Sequence, residues 1–67
     1  MAEGLTNRLR EARAERGWTQ AELAERVGVT RKTINTVENG VFVPSTTLAL
    51  KLARALETTV EALFQLV

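Results

Sequence analysis

The residues with most chemistry to offer lie between Thr30 and Asn39: Arg31, Lys32, Asn35, Thr36 and Asn39, interleaved with Ile34 and Val37. If Ile34 and Val37 face a core, an advance of about 100° per residue carries Lys32, Asn35, Thr36 and Asn39 to the opposite side of a helix. Arg31 falls on a flank of the first turn, from which its long side chain reaches outward. Such a face holds a charge and hydrogen-bonding groups with almost no apolar surface, which suits the edges of base pairs. Arg31 or Lys32 matches the acceptors of guanine, Asn35 in principle matches adenine, and Thr36 offers a methyl to thymine. Gln20, Thr30 and the backbone amides of helix N-termini suit phosphate oxygens.

Two short helices must position this face. Thr19 followed three residues later by Glu22 is a capping box, and Trp18 with Leu23 has the spacing of a hydrophobic staple. Leu23, Ala24 and Val27 make a buried stripe, and Gly28 stands where the helix should stop. The second helix repeats the logic with Thr30 as cap, Val29 and Ile34 as staple, and Gly40 as stop. A helix with a packed inner side and a polar outer side, held across a Gly-containing turn by a partner helix, is a helix-turn-helix with a recognition helix.

The rest of the chain predicts three more helices. Leu5, Leu9, Ala12 and Arg16 fall on one side of a first helix that runs to about Arg16 and stops at Gly17, whereas Met1 to Gly4 carry no periodic signal. Arg8, Arg10, Glu11 and Glu15 cover its remainder as mixed surface charge. Val41 to Pro44 is a loop, because proline biases the preceding residue away from helical geometry. Ser45 or Thr46 caps a fourth helix whose buried stripe is Ala49, Leu52, Ala53 and Leu56, with Leu48 and Leu50 widening the apolar surface. Thr58 with Glu61 reads as a second capping box, opening a fifth helix with Val60, Leu63 and Phe64. Three of the last four residues, Phe64, Leu66 and Val67, are large and apolar, where chain ends are normally polar. They either fold back, pairing as a strand with the first residues, or meet a second copy of the chain, and the two are compatible.

Composition bounds the alternatives. Sixty-seven residues at 45% hydrophobic content make one globular domain, 1–67. A chain of this size buries only about 60% of its unfolded surface, so a second copy would help stability. There is no cysteine for a thiolate metal site, no histidine, and no aspartate. The glutamates are scattered without metal-ligand spacing, and no Gly-rich phosphate loop occurs, so neither an enzyme, a metal site, a cofactor nor a small-molecule ligand is expected. No segment approaches a membrane span and no signal-peptide core opens the chain, so a cytoplasmic protein without a membrane partner is expected. The formal net charge is +1, but residues 27–54 hold Arg31, Lys32, Lys51 and Arg54 against Glu38 alone, a net +3 around the polar face.

TQAELAERVGVTRKTINTVENG, followed by a Pro-Ser pair and LALKLARAL, resembles the Cro/phage-repressor helix-turn-helix family, also called Xre-like regulators. The likeness covers roughly Leu5 to Phe64. It implies an all-α, compact five-helix domain, to which pairing of the chain ends would add a short terminal strand. It also implies a homodimer on operator DNA. By this resemblance Gln20 contacts the DNA backbone and buttresses the recognition helix, Thr30, Arg31, Lys32 and Thr36 meet phosphates and base edges, and Asn39 lies near the backbone. Thr19, Thr33 and Asn35 complete the expected DNA-binding set. Arg13 and Glu38 look like the family's interior ion pair. The sequence departs from the family at Val41-Phe42-Val43, where a basic residue is common; this removes a phosphate anchor and offers apolar surface for an interface. One recognition helix reads few base pairs, so a dimer with two such helices about 34 Å apart is expected, with Phe64, Leu66 and Val67 as its candidate interface. The function expected is a sequence-specific transcriptional regulator, a repressor on a palindromic operator. The alternative is a protein-interaction module, an antitoxin or anti-repressor, built on the same fold.

Overall fold

The computed structural model describes residues 4–67, and Met1 to Glu3 lie outside the described residues. Among the described residues five helices make the body: α1 (Leu9–Glu15), α2 (Gln20–Val27), α3 (Arg31–Glu38), α4 (Thr46–Ala55) and α5 (Val60–Leu63). Two short strands, β1 (Leu5–Asn7) and β2 (Phe64–Leu66), join the ends of the chain in an antiparallel pair. Their register sets Leu5 against Leu66, Thr6 against Gln65 and Asn7 against Phe64.

Each helix contributes a side chain to one centre. Leu9 from α1, Leu23 from α2, Ile34 and Val37 from α3, Leu52 from α4 and Leu63 from α5 are all 2% exposed or less. Helices of four to ten residues are too short to persist alone in water. Packing around this centre and hydrogen bonds at the helix starts hold them. Thr19, Thr30 and Ser45 cap α2, α3 and α4 by accepting from the backbone N–H three residues on, at 3.1, 3.2 and 3.1 Å. At Thr19 the Glu22 carboxylate closes the box by accepting from the Thr19 N–H at 2.7 Å. Gly28, at φ 77°, ends α2 in the left-handed region that only glycine enters without strain. The N–H of Val29 then returns to the Ala24 carbonyl at 3.0 Å, which leaves three residues between α2 and α3.

Three sequence expectations need correction. Leu5 belongs to β1 and not to the first helix, which starts at Leu9. Arg8 donates its N–H to the Leu63 carbonyl at 2.8 Å, and Asn7 Oδ1 accepts from the Leu9 N–H at 3.1 Å, so the chain turns there from strand to helix. The α5 cap is Thr59, whose hydroxyl accepts from Ala62 N–H at 3.1 Å. The Thr58 N–H, which a capping box would direct to Glu61, instead closes α4 on the Ala53 carbonyl at 2.9 Å. On α4, Leu48 joins the buried stripe whereas Leu50 stays exposed.

Of the two readings of the last residues, the fold-back is the one observed. Val67 donates its N–H to the Gly4 carbonyl at 3.1 Å, extending the ladder. Phe64 packs half-buried against the core, yet Leu66 and Val67 remain exposed.

Leu52 has no exposed surface, and truncating it to alanine should cost about 2–5 kcal/mol. For a chain of this length that is a large share of the roughly 3–10 kcal/mol expected in total. Leu50→Ala, on the exposed side of α4, should change stability by less than about 0.5 kcal/mol. Urea unfolding followed by circular dichroism distinguishes the two; equal effects would contradict the placement of α4.

Candidate nucleic-acid interface

Ile34 and Val37 anchor α3 in the core, and the residues opposite them form its outer face. Arg31, Lys32 and Asn39 are exposed, whereas Thr33, Asn35 and Thr36 are half-buried. Several of these groups are already engaged. The hydroxyls of Thr30 and Thr33 pair at 3.0 Å. Thr36 donates its hydroxyl proton to the Thr33 carbonyl at 2.9 Å, so it offers a ligand a methyl group and an acceptor oxygen. Thr19 stands exposed at the start of α2, with Gln20 half-buried beside it. The Glu22 carboxyl at that helix start is held below its ordinary pKa by the Thr19 N–H, then by the Thr19 hydroxyl, and so carries a charge.

The face is held by a carboxylate behind it. The Glu38 side chain has no exposed surface. Arg13 Nε donates to its Oε2 at 2.6 Å, and Arg13 Nη2 donates to its Oε1 at 3.2 Å. Gln20 Nε2 donates to Oε1 at 3.0 Å, and Arg10 Nε approaches the same oxygen at 3.4 Å. Burial works to raise the Glu38 pKa. The hydrogen bonds from Arg13 and Gln20, the charge of Arg13 and the bond from Arg10 outweigh it, so the carboxyl sits below the ordinary carboxylate range. The bond to Glu38 raises the pKa of Arg13 against the lowering effect of burial. Arg13 also donates to the Trp18 carbonyl at 2.8 Å, so one guanidinium fastens both α3 and the α1–α2 turn to α1. Trp18 itself packs against the core, and the Arg26 guanidinium lies 4.0 Å from its ring centre.

From this hub the bonds run outward on both sides. Gln20 Oε1 accepts from Arg31 Nη1 at 3.3 Å, linking the start of α2 to the first turn of α3. Arg10 Nη2 donates to Asn39 Oδ1 at 3.0 Å, and Asn39 Nδ2 donates to Asn35 Oδ1. Gln20, Arg31, Asn35 and Asn39 thus share one connected surface. Arg10 is the member that sequence reasoning misses, by grouping it with solvated surface charge. Its position three residues before Arg13, hence on the same side of α1, is the available signal.

Other expected residues lie elsewhere. Phe64 and Leu66 belong to β2, and Val67 follows it, paired with the start of the chain and not with α3. The loop Val41-Phe42-Val43 is exposed by 79, 46 and 68%, and it sits at the end of α3, with Val41 and Phe42 N–H donating to the Thr36 carbonyl at 3.0 and 3.2 Å. Among the described residues no cluster of histidine, cysteine, aspartate or glutamate could hold a metal ion. None of the described helices is long and apolar enough to cross a membrane.

Comparison with known proteins gives a consistent result. Residues 9–63 match the helix-turn-helix family. An uncharacterized HTH-type transcriptional regulator of Bacillus subtilis, YgzD, is 44% identical over 62 residues, covering 92% of this chain and 94% of that one. The restriction-modification controller protein C.AhdI of Aeromonas hydrophila superimposes with a TM-score of 0.78 at 38% identity, over 82% of this chain and 83% of that chain. The biofilm master regulator SinR, in a structure with DNA, superimposes with a TM-score of 0.75 at 29% identity, over 81% of this chain and 87% of that chain.

Glu38 yields a stability prediction with a definite sign. Its folded pKa lies below the unfolded one, so its contribution is complete above the ordinary carboxylate value of about 4.3 and is lost as pH falls through the folded value. Glu38→Gln should destabilise the protein at neutral pH by on the order of 3 kcal/mol, because Arg13 then keeps a largely buried charge without its partner. The variant should also flatten the acid limb of stability against pH, with Glu22 supplying part of what remains. Urea unfolding across the acid range tests this; an unaltered acid limb would remove Glu38 as its source.

Proposed function

The chain belongs to the helix-turn-helix family of small Xre- and Cro-type DNA-binding transcriptional regulators, and from that premise we propose that it is a repressor whose α3 enters the major groove of a palindromic operator. The observation that carries this reading is the exposure of Arg31 and Lys32 on the first turn of a helix whose other side is locked into the core. In this reading Arg31, Lys32 and Thr36 read base edges, with Asn35 beside them. Thr19, Gln20, Thr30, Thr33 and Asn39 meet the sugar-phosphate backbone or support the residues that do. The family is one of DNA-binding regulators, which is not an enzyme class. Binding at a promoter occludes it, and the protein acts in the cytoplasm, where the DNA is.

The operator-bound form is a homodimer in this proposal. Leu66 and Val67, 67 and 77% exposed, lie beside half-buried Phe64 and offer the apolar surface for it. A two-fold axis there would set two copies of α3 on successive turns of one groove, about 34 Å apart. A second reading has its own observation. Val41-Phe42-Val43 is apolar and exposed at the end of α3, which favours a protein partner held beside the same helix, as in an antitoxin or anti-repressor.

Replacing Arg31 and Lys32 together by alanine should weaken binding to a selected duplex by roughly 100-fold or more, with a shallower salt dependence. The fold and the oligomeric state should be retained, with no more than a small change in melting for the lost Arg31–Gln20 bond. Duplex binding that survives the double change intact would remove this surface from DNA and leave the protein-partner reading. Leu66→Asp should shift sedimentation equilibrium toward the monomer and weaken operator binding while leaving the fold in place; an unchanged dimer would put the interface elsewhere.

A further inference from the structure

The hydrogen bonds on the outer face of α3 have a direction, and that direction decides what Asn35 can read. A guanidinium donates and cannot accept. Arg10 Nη2 reaches Asn39 at 3.0 Å, so the Asn39 amide must turn its oxygen to Arg10. Its nitrogen then points the other way and donates to Asn35. Asn35 in turn must present its oxygen to Asn39, and among the described residues its Nδ2 has no acceptor. Arg10 is itself held in place by the buried Glu38 carboxylate, 3.4 Å from its Nε. Two amides that could each sit either way round are thus set by one charged side chain on a different helix.

Resting on the reading of α3 as the DNA-facing helix, we propose that Arg10, acting through Asn39, makes Asn35 a reader of acceptor edges. Asn35 meets guanine O6 or N7, thymine O4 or adenine N7, and discriminates against cytosine, which only an accepting oxygen could hold. The familiar match of asparagine to adenine uses both ends of the amide, the oxygen on N6–H and the nitrogen on N7. Here the oxygen is turned to Asn39, so adenine keeps only the bond at N7 and loses its bidentate advantage. Cytosine offers only a donor at this edge, so it is the base disfavoured. Arg10 is a positioning residue, acting on base choice without touching a base.

The relay can be reversed by one atom. Asn39→Asp replaces the donating nitrogen with an oxygen, keeps the acceptor for Arg10, and obliges Asn35 to turn its own nitrogen inward. Asn35 Oδ1 then faces outward as an acceptor. Arg10→Met removes the donor that sets the direction and leaves both amides free to turn.

Wild type, Asn39→Asp and Arg10→Met are each used to enrich bound duplexes from a randomised pool, with circular dichroism melts as a check on folding. Wild type should disfavour cytosine at one position of each half-site, by roughly tenfold against guanine or thymine. Asn39→Asp should admit cytosine at that position at the expense of guanine and thymine, with adenine tolerated in both proteins, and leave the other positions alone. Its added negative charge should weaken all duplexes alike, since phosphate contacts carry no sequence information. Arg10→Met should broaden the same position, and it supplies the readout if Asn39→Asp melts early. Profiles identical to wild type in both variants would overturn the relay while leaving α3 as the reader. A wild-type protein that enriches no sequence would overturn the DNA reading itself, and the relay with it.

Discussion

A carboxylate with no exposed surface is the constraint on which the site depends. Taking Glu38 out of water costs several kcal/mol, and only close, well-directed donors offset that. Arg13 supplies two of them from α1, and Gln20 supplies a third from the start of α2. Three helices are therefore tied at one point near the end of α3. Apolar packing of Ile34 and Val37 seats α3 on the core, but it is non-directional. Bonds with fixed angles add what packing lacks, a preferred rotation of the helix about its own axis, and that rotation selects which side chains face outward.

The outer face is organised by the same hub. Gln20 bonds inward to Glu38 through its nitrogen and outward to Arg31 through its oxygen. An acceptor-only carboxylate behind it leaves no other sensible orientation for the amide. On the far side Arg10 does the equivalent for Asn39 and Asn35. The face is thus preorganised before any ligand arrives, which reduces the side-chain ordering that binding would otherwise require. A small scaffold benefits most from such an arrangement. With an eight-residue α3 and a centre of six fully buried side chains, little else could hold the face still.

Much of this is legible in the sequence, and what is not has a common cause. Caps at Thr19, Thr30 and Ser45 are local, set by residues three positions apart, and so are the stripes of α2 and α3. Leu5 misleads because its spacing from Leu9 and Ala12 fits a helix, whereas its actual partner, Leu66, lies at the other end of the chain. Thr58 misleads because Glu61 stands three residues on, whereas its N–H is used to close α4 and the hydroxyl of Thr59 caps α5. The residues of the candidate face follow from helical periodicity, but their hydrogen-bond directions do not. Arg10 acquires its role only when α1 and the end of α3 are brought side by side, a tertiary fact that no periodicity encodes. The apolar loop after α3 stands out in the sequence as a departure from the family, and it is indeed exposed where a partner could meet it.

The most direct test of α3 as a reading head is a titration of isotopically labelled protein with the duplex it enriches, followed through backbone amide and side-chain resonances. If α3 lies in the major groove, the largest shifts cluster at Gln20 and from Thr30 to Asn39, with the Asn35 and Asn39 side-chain amides among them. Shifts confined to Val41–Val43 and Phe64–Val67, with Arg31, Lys32 and Thr36 unmoved, would contradict it.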